Sequence, residues 1–215
     1  MTFSLNEIEA MGKRAARGAG LAWGLAEEAG KAARWLSACQ LPGADMLLHV
    51  LTLNDGREYE ELAPLSTEGI WEAASGTLCP LIVGPALADL AADIAKGREV
   101  QLGQISSPLM LAPYLASLAA QMNCAVKLSW SGAEIIVTKE GLTIVGEGAL
   151  VPLAENVLCS RTDGQKPVIL ARMTGCEIEA EIWDQLAYLM TRYLAPDTEE
   201  SRLAGAGGAD VTDND

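Results

Sequence analysis

Glycines set inside an otherwise strong helix former constrain this chain more than any other feature. Arg14 to Leu36 reads RAARGAGLAWGLAEEAGKAARWL, and Ala, Leu, Glu, Lys and Arg are residues that lose little on entering a helix. Leu21, Leu25, Ala29, Ala32 and Leu36 recur at three- and four-residue steps, which places them on one apolar stripe suited to a core. Gly18, Gly20, Gly24 and Gly30 lie in the same stretch. Each interior glycine costs a helix roughly 1 kcal/mol relative to Ala, so the folded protein must offset that cost. Gly18 and Gly20 permit either a kink or a short break.

A second stripe carries chemistry. Trp23, Glu27, Lys31 and Arg34 are spaced four, four and three apart, aligning an indole, a carboxylate and two cations, with Glu28 beside them. In one reading the glycines admit a ligand or another backbone, and Trp23, Glu27, Glu28 and Arg34 line a pocket. A carboxylate there carries a proton while the guanidinium grips a small anionic metabolite. In the other reading the stripe is a solvated face with a Glu27–Lys31 pair, and the glycines serve tight helix packing. The exposed indole then anchors a protein partner or a second copy of the chain, making the protein a noncatalytic accessory subunit or interaction module. The sequence leaves enzyme and binding module both open.

The string SLNEIEA from Ser4, continued by KRAARGAGLAWGLAEEAGKAARWL to Leu36, resembles the opening of an uncharacterised bacterial family defined only as a domain of unknown function. The similarity extends to about Tyr193. The resemblance implies a bacterial protein of about this length with no assigned activity, and it carries no catalytic residue across.

Composition narrows the partners. A formal net charge of −14 repels phosphate backbones and anionic membrane surfaces, so neither nucleic acid nor membrane is an expected partner. Cys39, Cys79, Cys124, Cys159 and Cys176 show no CxxC spacing and are odd in number, which reads as reduced thiols of a cytoplasmic protein. The opening MTFSLNEIEAMGKR has no apolar core of signal-peptide length, and no apolar run reaches the roughly 18 residues of a membrane span. Half of the residues are hydrophobic but only one is Phe, which favours close helix packing over an aromatic-rich sandwich. One α+β domain is expected over residues 1–195. From Pro196 to Asp215 the chain is Gly-, Ala- and acid-rich and is expected to be a disordered tail.

In chain order, Ser4 and Glu7 form a capping-box pair that starts a first helix near Leu5. Leu-Pro-Gly at 41–43 ends the glycine-bearing helix, and the apolar stretch to Leu53 suits another. A turn follows at Asn-Asp-Gly, and Ser66 to Ala74 suits a helical turn or a strand edge. Leu81 to Val83 reads as a short strand, with Gly84 and Pro85 opening a helix that Gly97 stops. That helix start would attract an anion. Val100 to Ile105 suits a strand, Ser106 and Ser107 suit caps, and Pro108 opens a helix to about Met122 with a kink at Pro113. Short branched runs separated by Ser-Gly and Glu-Gly predict an antiparallel β meander from Cys124 to Glu147. Val168 to Met173 suits a fourth strand, and Glu177 to Leu194 is an amphipathic closing helix. The expected fold class is α+β: N-terminal helices, a mixed centre, an antiparallel β meander and a closing C-terminal helix.

Specific catalytic signatures are missing. The sequence has no P-loop, dinucleotide glycine fingerprint, GxSxG elbow or HExxH, so it identifies no cofactor. His49 is the single histidine, which removes any multi-histidine metal site, and it reads as a buried, satisfied residue. Cys79 stands before a helix start that would lower a thiol pKa, or it is a small core residue.

Overall fold

The computed structural model describes residues 1–163 and 173–193. Strand β1 (Thr2–Ser4) leads into α1 (Leu5–Gly18), whose start is fixed by the capping box between Ser4 and Glu7. The chain breaks at Ala19–Ala22, where Gly20 takes a φ of +98° open to glycine without strain, and resumes as α2 (Trp23–Ala38). The break leaves Leu21 outside the helix. Next come α3 (Gly43–Leu53), the short α4 (Tyr59–Leu62) and strand β2 (Ile70–Trp71), which resolves Ser66 to Ala74 as a strand edge.

Gly30 and Gly43 have a packing explanation, whereas Gly24 has open space around it. A Cβ on Gly30 would lie 2.5 Å from the Glu9 carbonyl oxygen of α1, and one on Gly43 would lie 2.3 Å from the Ala33 carbonyl oxygen. Ala15, Ala16, Ala26, Ala29, Ala32 and Ala33 are all at most 1% exposed. Small residues on both faces let α1 and α2 approach until backbone meets backbone, and the dispersion gained over that contact offsets the glycine cost.

The centre departs from expectation. No strand spans Leu81–Val83; the helix α5 (Pro80–Asp89) begins earlier, with Pro80 at its first turn, and continues through Gly84 and Pro85. A short apolar run buried on all sides looks alike as strand or helix, and here the proline at 80 rather than the one at 85 decides it. No helix N-terminus therefore exists at Gly84. Leu90 interrupts the helix before α6 (Ala91–Ala95), and Gly97 ends the unit with a φ of +106°.

The stretch Val100–Ile105 is two strands, β3 (Val100–Leu102) and β4 (Ile105–Ser106), that pair with different partners. Ser107 is left-handed at φ 38° and makes no side-chain cap; it leads into a single 3-10 turn at Pro108–Leu111. Helix α7 (Ala112–Met122) follows, with Pro113 in its first turn, where proline needs no kink. The meander is present as β5 (Ala125–Trp130), β6 (Ala133–Val137) and β7 (Leu142–Val145). A second 3-10 turn at Glu147–Leu150, β8 (Leu153–Ala154), β9 (Val157–Thr162), β10 (Gly175–Glu177) and α8 (Ala180–Thr191) complete the described chain. The α+β class holds, and α8 is its closing helix. Of the expected strand Val168–Met173, residues 168–172 lie outside the described residues, as does the expected tail.

The main sheet has the order β2-β3-β9-β5-β6-β7, antiparallel except for β2 beside β3. Val126, Leu128 and Trp130 of β5 alternate inward, toward α7, with Lys127 and Ser129 outward. Helix α8 lies on α1 and α3; Gly18 meets the Leu189 carbonyl of α8, and Arg192 reaches Asp55 at 2.7 Å. One continuous set of buried side chains runs from Ile8 to Leu189. Among the described residues, no helix is long and apolar enough to cross a membrane.

Candidate functional site

The charged stripe on α2 divides into two parts. At its start Trp23 is 51% exposed and meets Tyr193 edge-on with ring centres 5.3 Å apart, while the Arg17 guanidinium lies 4.8 Å from the indole centre. Arg17 also bonds the Leu21 carbonyl. Glu27 pairs with Lys13 of α1, and that hydrogen bond holds its carboxyl below the usual carboxylate range. A Glu27–Lys31 pair does not form. Lys31 instead takes Glu28 at 2.7 Å, which raises its pKa, and Arg34 takes Glu9 at 2.8 Å.

Two neighbouring hollows open farther along the helix. The first, about 390 Å³, is lined by Glu9, Lys31, Arg34, Trp35, Cys39 and Met173 among others. The second, about 330 Å³, lies where α5 and α7 dock on α2 and is lined by Glu28, Lys31, Trp35, Asp89, Tyr114 and Ser117 among others. Lys31 and Trp35 belong to both, so the half-buried indole is the ridge between them. Both volumes fall within the range of small-ligand sites, roughly 300–1,000 Å³. Glu28 and Arg34 thus line different hollows, while Trp23 and Glu27 line neither.

Tyr114 was not singled out in the sequence. It is 5% exposed, and its hydroxyl has no hydrogen-bond partner although buried hydroxyls usually have one. Its ring lies against Gly84, where a Cβ would come within 2.3 Å of it. Burial and then the nearby Glu28 carboxylate push the phenol pKa upward. A lone tyrosine within the apolar stretch LMLAPYLASLAAQM was the available signal.

The remaining candidates behave differently. Cys79 caps the N-terminus of α5 and its sulfur does feel the Leu81 and Ile82 amides, but burial outweighs them and pushes its pKa up to about 11. His49 is exposed on α3 rather than buried, because the inward positions of that helix are filled by Met46, Leu47, Val50 and Leu51. Ser106 and Ser107 are buried, Ser106 against the Leu78 carbonyl. Among the described residues no group of three or more His, Cys, Asp or Glu side chains is placed to hold a metal ion. A larger hollow of about 710 Å³ lies over the sheet between Gln101, Ser129, Leu153 and Asn156, with Glu99 and Glu155 its charged lining among the described residues.

The helices that carry this stripe also carry a family match. Residues 3–79 match the family described as "Protein of unknown function (DUF3726)". The matched residues include Glu9, Glu28, Lys31, Arg34 and Trp35, whereas Asp89, Tyr114 and Ser117 come from chain beyond them. The resemblance at the N-terminus therefore has a family behind it, while the stretch onward to Tyr193 lies past the matched residues. No curated protein matches. Among solved structures the chain is similar to malate dehydrogenase from Entamoeba histolytica, at 14% identity and a TM-score of 0.45. The alignment covers 67% of this chain and 45% of that one, so the chain spans less than half the length of that enzyme. A likeness this distant bears on neither the fold nor the activity of this chain.

Proposed function

We propose that the protein binds a small metabolite bearing a carboxylate or phosphate, seated in the hollow lined by Lys31, Arg34 and Trp35. The supporting observation is a pair of cations brought together: the lining of this hollow holds Lys31 and Arg34 with one carboxylate, Glu9, in a chain whose net charge is −14. Both cations are engaged by carboxylates, but the four side chains are 30–55% exposed. Exposed pairs of this kind are worth about 0–1 kcal/mol, so an incoming anion can take over the cations at little loss. The guanidinium offers a planar fork to carboxylate or phosphate oxygens, and the indole offers a flat apolar wall. Five cysteines outside any disulfide suit a reducing cytoplasm as the place of action.

The test is calorimetric titration of the full chain with hexanoate and with inorganic phosphate. Binding should weaken by about tenfold or more in a Lys31→Ala/Arg34→Ala variant, as expected for loss of charge-assisted bonds. Unchanged affinity in that variant would remove the two residues from the site.

A second reading is favoured by the exposed aromatics Trp23, Tyr188 and Tyr193, which suit a protein contact. On that reading Trp23→Ala dissociates a complex seen by size-exclusion chromatography, and an unaltered elution profile would count against it.

A further inference from the structure

Helix α1 ends in cations that its surroundings do not neutralise. Lys13, Arg14 and Arg17 lie on one flank of the helix, three and four residues apart. Lys13 is paired with Glu27, but among the described residues neither Arg14 nor Arg17 has a carboxylate partner. Arg14 is exposed, and the Arg17 guanidinium lies over two rings, 4.8 Å from the centre of the Trp23 indole and 5.6 Å from that of Tyr193. A ring face attracts a cation without cancelling its charge. Two uncompensated arginines therefore flank an indole that is half exposed, in a chain whose net charge is −14.

We infer that this face is occupied by the chain's own acidic C-terminal segment, residues 196–215, which lie outside the described residues. Position, charge and reach name that occupant. Tyr193, the last described residue, touches Trp23 edge-on and lies under Arg17, so the chain leaves the described fold at the cluster itself. Asp197, Glu199 and Glu200 follow within seven residues, and the whole segment has six carboxylate side chains against Arg202 alone. Four to seven residues extend up to about 13–25 Å at roughly 3.3–3.6 Å each. Arg14 and Arg17 are separated by only about 4.5 Å along the helix axis.

Attachment adds to complementarity. A tethered segment is present at an effective concentration in the millimolar range, which a free partner must overcome. The acidic body opposes its approach at long range, but at physiological ionic strength the screening length is about 8 Å, so the nearest charges decide. Gly and Ala fill most of the remaining segment and add little apolar contact, so the hold is electrostatic. A protein partner seated on Trp23 must displace it.

The experiment follows the Trp23 indole N–H resonance of the full chain by two-dimensional NMR, assigned with Trp23→Phe. Salt is raised from about 0.01 to 1 M, over which the screening length falls from roughly 30 to 3 Å. The wild-type resonance is expected to move with salt, and most of that movement should be missing in Asp197→Asn/Glu199→Gln/Glu200→Gln. Arg14→Gln should remove much of the same movement, and combining it with the triple variant should add nothing further, the non-additivity of a direct coupling. Because Arg14 has no ion-pair partner among the described residues, its melting temperature should match the wild type, which separates a lost contact from a lost fold. Equal salt response in the wild type and the triple variant, or effects of Arg14→Gln and the triple variant that simply add, overturns the inference. A shift that grows with protein concentration places a second copy on this face instead and overturns it as well.

Discussion

Cys79 shows two physical effects in opposition at a single atom. The amides at the start of α5 and the nearby Asn54 side chain favour its thiolate, as position before a helix suggests, but removal from water dominates and the pKa rises to about 11. Cys159, buried within β9, is pushed by burial to about 12. Both thiols hold their protons more tightly folded than unfolded, so their contribution to stability is full below the ordinary value of 9.0 and is lost as pH rises toward about 11 and 12. Urea unfolding of the wild type should therefore show a midpoint that falls above pH 9, and a Cys79→Ala/Cys159→Ala pair should flatten that fall. A midpoint that rises through this range, or rapid labelling of Cys79 by a thiol reagent in the native state at pH 8, would contradict the burial that places these sulfurs.

At the level of elements, the contact between α1 and α2 organises the N-terminal half, and its glycines are not equivalent. Gly24 has nothing within 4 Å of a would-be Cβ, whereas Gly30 would meet the Glu9 carbonyl at 2.5 Å and Gly18 the Leu189 carbonyl at 1.7 Å. Gly24→Ala should stabilise by up to about 0.5–1 kcal/mol through helix propensity. Gly18→Ala and Gly30→Ala should each destabilise by about 1–3 kcal/mol or more through overpacking. Chemical denaturation measures all three, and a loss at Gly24 as large as at Gly30 would contradict the packing explanation, since no atom stands within 4 Å of a Cβ at Gly24. These elements were legible because their signals are local: the Ser4–Glu7 box, the three-and-four periodicity of α2, the Ser-Gly and Glu-Gly turns of the meander. Where the signal was not local, the sequence misled. LIV at 81–83 is apolar on every side and so carries no period, and β9 has no clean alternation because Cys159 and Ser160 are both buried. Of the site, Glu28, Lys31 and Arg34 could be read from spacing along one helix. Tyr114 and Asp89 could not, since their hollow exists only once α5 and α7 dock on α2.

Across the whole molecule, a helical half and a six-stranded sheet meet along α7, and one of the two hollows lies where α7 and α5 reach α2. The net charge of −14 keeps polyanions away at long range, and the proposed anion site rests on the two cations Lys31 and Arg34 gathered at one hollow. Five tryptophans, at positions 23, 35, 71, 130 and 183, are spread over the fold and report on different regions. The most direct test is therefore a two-dimensional NMR titration of the indole N–H resonances of the full chain with hexanoate, assigned by single Trp→Phe variants. The Trp35 resonance is predicted to shift in a saturable way, with those of buried Trp71 and of Trp130 unmoved. A saturable shift confined to Trp23 or Trp130, or none at any of the five, would contradict a binding site on α2.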